Sequence, residues 1–296
     1  MDLIDGMRVF VASVETGSFA GAGRKLGISG KLASKYLATL EDRLDTRLLQ
    51  RTTRRLGMTS AGERLYARLP AWLDQFDEIR SELSEKGSRL TGTLRVSAPL
   101  TYGELHVQRL LCRFRELHPE LVIDLRLSDV FVDLAAEGID LAIRIGLLPD
   151  SALIARKLSE TSVLLVASPE YLARRGEPEI LEDLLRHDCI RDTNMRGHGG
   201  WPLSDGQVVT VVDVQAGFLV NSARAARDLC LAGQGIALIP DYAVSEDLAT
   251  GRLRRVLPGH AAPSLDIHAV YLGGRRGVPR RVRAFLDFLA VSRSEF

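Results

Sequence analysis

Four polar side chains that lie close together in the sequence could contact a nucleic acid. They are Ser29, Lys31, Ser34 and Lys35. A lysine ammonium donates hydrogen bonds to guanine acceptors or to phosphate oxygens, and a serine hydroxyl bonds to either bases or backbone. The alternative is that these residues form the solvated polar face of an ordinary helical hairpin. The surrounding sequence has to distinguish between the two interpretations.

An arginine-rich run follows this segment and favours the nucleic-acid interpretation. Arg47, Arg51, Arg54 and Arg55 occur with no acidic residue between them. Two short β-prone pieces flank Arg54–Gly57, which predicts a small hairpin, or wing. Arginines on such a wing would straddle phosphate groups, because a guanidinium pairs well with phosphate oxygens.

Two further segments place small residues between a predicted strand and a predicted helix. Pro99-Leu100-Thr101 follows one predicted strand and precedes a helix, and Asn221-Ser222 does the same in a second lobe. The first N–H groups of a helix have no partner within the helix, so such junctions can hold an anion or a carbonyl group. Plain helix capping is the alternative, and the sequence leaves both open.

Patterns typical of enzymes and metal sites do not occur in the sequence. It contains no G-x-S-x-G, complete G-x-G-x-x-G, Walker A or H-E-x-x-H motif. The histidines are scattered, and Cys112, Cys189 and Cys230 fit neither a disulfide framework nor paired metal spacing. We therefore expect no catalytic residues, no metal and no cofactor, and we interpret the cysteines as free thiols.

Two helices joined by a tight turn would position the first polar set. Ser18 and Ser29 are predicted N-caps, with a small-residue helix at Phe19–Leu26 and a second helix at about Gly30–Leu44. On a helical wheel, the apolar residues of the second helix share one side and its lysines share the other. This arrangement is typical of a helix-turn-helix, in which the second helix enters a DNA groove.

Beyond the wing, the sequence predicts a long helix with an apolar seam. Ser60 and Glu63 form an S-x-x-E capping box at its start. Pro70 predicts a kink or a fresh start within it. Apolar residues recur in alternating steps of four and three, as in a coiled coil: Leu65, Leu69, Trp72, Phe76, Ile79 and Leu83. We expect this helix to be a dimerisation strut, and a buried core helix is the alternative.

After a predicted hinge at residues 87–92, strand-like and helix-like segments alternate, which indicates α/β architecture. The predicted helices are Glu104–Leu117 and Arg224–Ala232. The predicted strands are Leu94–Ser97, Val122–Leu127, Leu141–Ile145, Val163–Ala167, Ile236–Ile239 and Ile267–Leu272. A pattern of helix, glycine and buried strand begins at Asp133 and again at Asp228, as two similar lobes would produce.

The charge of the chain is divided unevenly along its 296 residues. Residues 1–62 contain ten lysines and arginines against six acidic residues, a net charge of +4, whereas the remainder carries −3. A basic head on a slightly acidic body suggests that the head meets a polyanion. The apolar runs are far too short to span a membrane, and Asp2 and Asp5 interrupt any signal peptide. We expect a cytoplasmic protein without membrane association.

The head resembles the LysR-type transcriptional regulators, and the resemblance continues across the body. The motifs in the head are Phe10–Ala20, Ala22, Leu26, Ile28-Ser29, Ser34-Lys35, Leu40-Glu41, Leu44, Arg47-Leu48, Arg51-Thr52 and Thr59-x-Ala61-Gly62. Those in the body are Gly92-Thr-Leu-Arg-Val, Ser97-Ala-Pro99, Phe131-Val-Asp-Leu, Asp140-Leu-Ala-Ile-Arg-Ile-Gly146, Ala167-Ser-Pro-x-Tyr171-Leu172 and Gly233-x-Gly235-Ile-Ala-Leu-Ile-Pro240. Gly30-Lys31 and Leu49 depart from the family pattern, which usually has Gln-Pro and phenylalanine there.

The resemblance implies an α/β fold class with an all-α-type head. The expected parts are a winged helix-turn-helix domain at residues 1–62, a linker or dimerisation helix and hinge at 63–90, and a two-lobed periplasmic-binding-protein-like α/β effector domain at 91–296. Lobe I would comprise residues 91–161 and 267–296, and lobe II would comprise 162–266. The chain would pass between the lobes near Thr161 and Asp266.

The resemblance also implies a function and its residues. The chain would be a sequence-specific DNA-binding regulator, not an enzyme, whose promoter binding responds to a small effector in the interlobe cleft. The implied DNA-binding residues are Ser29, Lys31, Ser34, Lys35, Arg51, Arg54 and Arg55, and the implied effector-binding residues are Pro99, Leu100, Thr101, Ser128, Arg144, Asn194 and Asn221. Arg144 suggests an anionic or carbonyl-bearing effector, although it could instead pair with Asp129.

The implied partners are double-stranded promoter DNA, the effector and further copies of this chain. The copies would form a dimer through the linker helix and a homotetramer overall, with RNA polymerase as a further candidate partner. Two other functions stay open: a solute-binding protein, because effector lobes share that architecture, and an enzyme with a DNA-binding appendage. The sequence does not define the effector, the operator or the direction of regulation.

Overall fold

The structure is a computed structural model that describes residues 2–51, 56–82, 89–149, 151–195, 200–273 and 278–292. The head begins with three helices, α1 (Leu3–Thr16), α2 (Phe19–Leu26) and α3 (Gly30–Arg43). They enclose one apolar core, in which Phe10, Leu37 and Leu40 are buried. The two predicted helices of the helix-turn-helix are therefore confirmed. Leu44, which we expected on the apolar side, is exposed because it caps the end of α3.

A hairpin follows α3, as the sequence predicted for the wing. Its strands are β1 (Leu49–Arg51) and β2 (Leu56–Met58), which pair antiparallel. The Glu41 carboxylate of α3 accepts hydrogen bonds from the backbone N–H groups of Leu48 at 2.7 Å and Leu49 at 3.0 Å. These bonds tie the base of the hairpin to α3, so the two elements present their surfaces in a fixed relation.

The long helix predicted after the wing is two helices, α4 (Ser60–Tyr66) and α5 (Leu69–Glu82). The fresh start near Pro70 is confirmed, since proline in the first turn of α5 loses no intrahelical hydrogen bond. The capping residue of α4 is Thr59, whose Oγ1 accepts from the N–H of Gly62 at 3.0 Å. The prediction that Ser60 caps this helix is therefore wrong by one residue.

The core of the head continues into this helical pair. Leu65 of α4 packs against the head core, and Leu69 and Leu73 of α5 are buried in it. The expected domain boundary at 62/63 consequently falls inside α4. Leu83 and residues 87 and 88 of the predicted hinge lie outside the described residues.

Within the described residues, nine strands of the body form one mixed sheet in the order β10-β7-β11-β6-β13-β5-β3-β4, and β12 pairs with β6. Strands β8 and β9 form a separate hairpin. The strands of the body are β3 (Gly92–Ala98), β4 (Leu121–Leu127), β5 (Leu141–Ile145), β6 (Ile154–Ala167), β7 (Cys189–Asp192), β8 (Trp201–Ser204), β9 (Val209–Val212), β10 (Ala216–Val220), β11 (Ile236–Pro240), β12 (Arg254–Arg255) and β13 (Ala262–Tyr271).

Two long antiparallel strands, β6 and β13, run through both lobes. Thr161 pairs with Leu265 and Glu160 pairs with Asp266, at the point where we expected the chain to pass between lobes. On one side of this point β13 pairs with β5, and on the other β6 pairs with β11. The Thr161 hydroxyl donates to the Asp241 carboxylate at 2.6 Å, which connects the crossing strand to the second lobe.

Helices cover the sheet of each lobe. They are α6 (Leu100–Tyr102), α7 (Gln108–Leu117), α8 (Pro169–Arg175), α9 (Ala223–Leu231), α10 (Ser245–Ala249) and α11 (Arg280–Val291). A π-helical turn joins α6 to α7, and the lobe I core places the Phe114 and Phe285 rings 4.9 Å apart. The helix predicted after Asp133 is a series of turns, whereas α9 is the helix predicted around Asp228.

Candidate nucleic-acid interface and ligand cleft

Glycine makes the tight turn between α2 and α3 possible. Gly27 ends α2 with a φ of +69°, in the left-handed region that glycine adopts without strain. A Cβ atom at Gly23 would lie 2.6 Å from the carbonyl oxygen of Ile28. Ser29 then caps α3, because its Oγ accepts from the N–H of Leu32 at 3.1 Å. The turn therefore fixes the direction in which α3 leaves α2.

The lysines of α3 face away from the core of the head. Lys31 and Lys35 are exposed, Ser34 is half-buried, and Ala33 and Leu37 on the other side are buried. Because the lysines are four residues apart, they lie on one face of the helix. Their ammonium groups can donate to phosphate or to base edges. The cap leaves the hydroxyl hydrogen of Ser29 available to a partner.

The structure describes only part of the arginine run. Arg47 is exposed just after α3, and its carbonyl oxygen accepts from the Thr59 hydroxyl at 2.7 Å. Arg51 belongs to β1, but only its backbone is described. Arg54 and Arg55 lie outside the described residues. The described strands of the wing, β1 and β2, are tied to α3 through the Glu41 carboxylate.

Helix α5 divides the predicted seam between two environments. Leu69 is 4% exposed and belongs to the head core, so this part of the seam is not available to a partner. Trp72 is 40% exposed, and its ring stacks on Phe76 with centroids 5.8 Å apart. Arg8 of α1 forms an ion pair with Asp77, which holds α5 against the head. The side chain of Ile79 is not described.

A cavity of about 380 Å³ lies between the two lobes of the body. Five of the seven residues expected to bind an effector line it: Pro99, Thr101, Ser128, Arg144 and Asn194. Most of them follow the carboxyl ends of strands, where open α/β sheets commonly bind ligands. A volume of this size is at the lower end of the range for small-molecule sites, roughly 300–1,000 Å³.

Arg144 is the cation among the described residues that line this cavity. It is 5% exposed and lies in β5, and its guanidinium donates to the Ser97 hydroxyl at 3.1 Å and to the Ile143 carbonyl at 3.0 Å. The guanidinium also stands over the Phe131 ring, 5.5 Å from its centroid. Burial lowers the pKa of Arg144, and the negative charge of Asp129 opposes that change. A guanidinium with five N–H donors keeps donors for an anionic or carbonyl group.

Two carboxylates line the same cavity from opposite lobes. Asp129 follows β4 in lobe I and accepts from the N–H of Leu100 at 3.1 Å. Asp192 ends β7 in lobe II and accepts from the N–H of Asn194 at 2.9 Å. Burial raises the pKa of both carboxyl groups, that of Asp192 to about 6. The nearby charge of Asp129 contributes to the raised pKa of Asp192.

Leu100 and Asn221, which we expected at the effector site, do not line the cavity. The Leu100 side chain is exposed, and its backbone N–H bonds to Asp129 instead. Asn221 contributes its carbonyl oxygen, which accepts from the Asn194 side-chain amide at 2.6 Å. Both residues instead use a backbone group to hold a residue that lines the cavity, Asp129 for Leu100 and Asn194 for Asn221.

Thr101 connects the two lobes at the edge of the cavity. Its Oγ1 accepts from the backbone N–H of Arg224 in lobe II at 3.3 Å. The Arg224 guanidinium also pairs with Glu104 at 3.1 Å, and the Tyr102 and Tyr242 rings meet edge to face at 5.0 Å. A second cavity of about 330 Å³ shares Thr101 and Tyr242 as lining residues. The lobes are therefore in direct contact between two cavities.

Sequence reasoning missed several residues of the cleft. Asp192, Phe131 and Tyr242 line it, and burial raises the pKa of Tyr242. Asp192 ends β7, a strand that the sequence did not predict, so its place at a carboxyl edge could not be inferred. Tyr242 follows β11 by two residues, and the end of that predicted strand was the available signal.

Two family models match the chain. The model described as "Bacterial regulatory helix-turn-helix protein, lysR family" matches residues 4–63, and the "LysR substrate binding domain" model matches residues 87–292. The chain belongs to the LysR family. The first match ends at residue 63, within α4, and the second begins at residue 87, shortly before β3.

Named relatives in the LysR family match nearly the whole chain. The HTH-type transcriptional regulator PtxR of Pseudomonas aeruginosa is 35% identical over 97% of this chain and 91% of its own length. The solved structure of CrgA, a LysR-type regulator from Neisseria meningitidis, is 31% identical, covers 97% of this chain and 98% of its own, and has a TM-score of 0.63. Full-length AphB, a Vibrio cholerae virulence activator, is 31% identical over 98% of both chains with a TM-score of 0.62.

Membership of the LysR family fixes the general class of this protein. It is a transcriptional regulator with a helix-turn-helix head and an α/β effector-binding domain, and the family is one of regulators rather than enzymes. LysR regulators bind promoter DNA and small effectors, and they oligomerise. None of the helices in the described residues is both long enough and apolar enough to cross a membrane.

Proposed function

We propose that this LysR-family regulator binds double-stranded promoter DNA through α3 and the wing, and that a small molecule in the interlobe cleft modulates the binding. The observation that carries the proposal is the pair of exposed lysines on α3, Lys31 and Lys35, in a chain that also contains a lined cavity between two lobes. A cell location in the cytoplasm follows from this function, because promoter DNA is the partner.

The proposed DNA contacts divide into two kinds. Ser29, Lys31, Ser34 and Lys35 would meet base edges and nearby phosphates from α3, since the N-terminal part of a recognition helix enters the major groove. Arg51, Arg54 and Arg55 would hold phosphates from the wing. Phosphate contacts fix the position of the protein on the duplex, whereas base contacts carry the sequence preference.

The proposed assembly is a dimer through α5 and a tetramer overall. Trp72 and Phe76 support the dimer, because a stacked, partly exposed aromatic pair offers apolar area to a second copy. A dimer would hold two heads at half-sites about one helical turn, or a multiple of it, apart. RNA polymerase is a further proposed partner at the promoter.

The proposed effector-binding residues are Pro99, Thr101, Ser128, Arg144 and Asn194. Arg144 provides a buried cation for an anionic or carbonyl group on the effector. The effector would act by favouring one arrangement of the lobes, and it shifts the population only by its differential affinity for the two arrangements.

Selection of duplexes from a randomised library by the full chain tests the DNA-binding function. The enriched duplex is then titrated at several salt concentrations with the wild type, Arg51→Ala and the control Arg186→Ala, which removes an exposed arginine of lobe II. Loss of one phosphate contact should flatten the slope of log K against log salt by about 0.9 in Arg51→Ala alone. Failure to enrich any duplex would contradict the function, and identical slopes would remove Arg51 from the phosphate contacts.

A further inference from the structure

The charges that line the interlobe cavity are unequal. Among its described lining residues, Asp129 and Asp192 carry carboxylates and Arg144 carries the guanidinium. Within this described part of the lining, a ligand with two carboxylates would therefore meet two anions and one cation. A ligand with one cationic and one anionic group would match both signs. The charges of the lining therefore favour a ligand with one cationic and one anionic group over a dicarboxylate, whereas Arg144 alone would not distinguish the two classes.

The two carboxylates come from different lobes. Asp129 follows β4 of lobe I, and Asp192 ends β7 of lobe II. Each uses one oxygen to accept a backbone N–H bond, from Leu100 and Asn194 respectively. Among the described residues, the second oxygen of each carboxylate has no hydrogen-bond partner, so both keep acceptors for a ligand. A donor bound between them would contact both lobes at once.

Burial makes the ionised forms of these carboxyl groups costly without a counter-charge. It raises the pKa of both, and the charge of Asp129 adds to the effect on Asp192. An ammonium group in the cavity would relieve this cost, because an opposite charge close by favours the ionised carboxylate. Arg144 supplies part of this counter-charge to Asp129, because its positive charge lowers the pKa of that carboxyl group, but its guanidinium donates hydrogen bonds to Ser97 and to the Ile143 carbonyl.

The uncharged part of the lining indicates the polarity and size of the rest of the ligand. Apolar side chains line the cavity beside the charged groups: Val130, Phe131, Ile145, Leu147, Met195 and Leu265. Such surfaces favour a hydrocarbon portion over a second polar end. The volume of about 380 Å³ limits the ligand to a small molecule.

We propose that the cleft binds a small amino-carboxylate with an apolar body, whose ammonium group lies between Asp129 and Asp192 and whose carboxylate faces Arg144. The inference rests on the proposed effector function of the cleft and names the class of effector. The ammonium group would bond to both lobes, so ligand binding would favour the arrangement in which they are close together.

Thermal-shift measurements on the full chain compare four classes of probe. Two are amino-carboxylates, namely the standard amino acids and short ω-amino acids. The third contains the monocarboxylates that these compounds become without their amino group, and the fourth contains dicarboxylates of matching length. We expect a raised unfolding temperature only with amino-carboxylates. Titration calorimetry of the best amino-carboxylate should show roughly 10–100-fold weaker binding in Asp129→Asn and in Asp192→Asn, since each loses a charged hydrogen bond. The control Asp213→Asn, which removes an exposed carboxylate of lobe II, should bind like the wild type.

Other outcomes overturn the inference in distinguishable ways. Stabilisation by dicarboxylates that becomes stronger in Asp192→Asn would show an anion site, which leaves the proposed effector function intact. Stabilisation by no class would reject the amino-carboxylate and count against an effector in this cleft, while the duplex selection would still test DNA binding separately. The wild-type comparison of amino-carboxylates with their deaminated analogues needs no variant, so a variant that fails to fold does not obscure the result.

Discussion

Lys31 and Lys35 lie about one turn apart on the exposed side of α3, and the opposite side is buried. Their chemistry was evident from the sequence because a helical wheel separates charged from apolar residues without any tertiary information.

The residues of the cleft could be predicted from the sequence only in part. Arg144 was located through the family motif, whereas Asp192 reaches the cavity only because β7 ends there beside β11. Such a placement depends on strand order, which a local pattern does not contain.

Replacing Lys35 with alanine should weaken duplex binding while the head stays folded, because the side chain is exposed and alanine favours helix. If Lys35 contacts a base edge, the loss should be roughly 1–3 kcal/mol and should relax the preference at one position of the enriched duplex. Fluorescence anisotropy with that duplex and its single-base variants measures both effects. Unchanged affinity, with Arg186→Ala as the matched control, would remove Lys35 from the interface.

Asp192 should make the stability of the protein depend on pH in a defined direction. Its folded-state pKa of about 6 lies above the ordinary range of an aspartate, so the folded state binds this proton more tightly than the unfolded state does. The contribution of Asp192 to stability is therefore largest at low pH and is lost as pH rises through 6. We expect Asp192→Asn to raise the free energy of unfolding at neutral pH by about 1–3 kcal/mol, with a smaller gain below the folded-state pKa.

Denaturant unfolding of wild type, Asp192→Asn and the exposed control Asp213→Asn at neutral and mildly acidic pH measures this difference. An equal effect of Asp192→Asn at both pH values would show that it does not arise from ionisation. A loss of stability in Asp192→Asn at neutral pH would show that the ionised Asp192 carboxylate does not destabilise the folded state.

The apolar pattern of α4 and α5 contributes residues to two different surfaces. The four-and-three spacing predicted a single dimer seam, but Leu69 packs into the head while Trp72 stays partly exposed. A heptad pattern specifies one apolar face and not the surface that covers it. The break before α5 was predictable from Pro70, because the effect of proline is local.

Aspartate at both Trp72 and Phe76 should split the dimer, because an unpaired carboxylate buried in an apolar contact costs several kcal/mol. Light scattering of the double variant should report a smaller species than wild type. The control Ser60→Asp adds one carboxylate at an exposed position at the start of α4, and it should leave the assembly unchanged. An intact oligomer in the double variant would show that the aromatic pair belongs to the internal surface of one chain.

The strands of the body were predictable where apolar runs are buried on both faces, as in β5 and β11. The first part of β6 was missed because residues 154–162 are mostly polar and do not alternate regularly between apolar and polar types. The repeat that begins at Asp133 and Asp228 predicted two helices, yet only the second forms one. Gly138 and Gly233 both adopt positive φ, at 64° and 68°, so the shared feature is the glycine turn into a buried strand.

At the scale of the whole molecule, two kinds of surface occur in one chain. The head carries a net charge of +4 and the remainder carries −3, so the attraction to DNA is concentrated in the head. The body places Asp129, Asp192 and Arg144 in a cleft between lobes that share β6 and β13. Because α5 connects these parts, a change in the arrangement of the lobes can alter the spacing of two heads in a dimer.

Ligand binding in the cleft and duplex binding by the head should be coupled. The most direct test measures duplex affinity with and without the ligand found by thermal shift, and ligand affinity with and without the enriched duplex. We expect the affinity for the duplex and the affinity for the ligand to change by the same factor, roughly 5–150-fold for a coupling of about 1–3 kcal/mol. Tight binding of both partners with neither affinity altered by the other would contradict it.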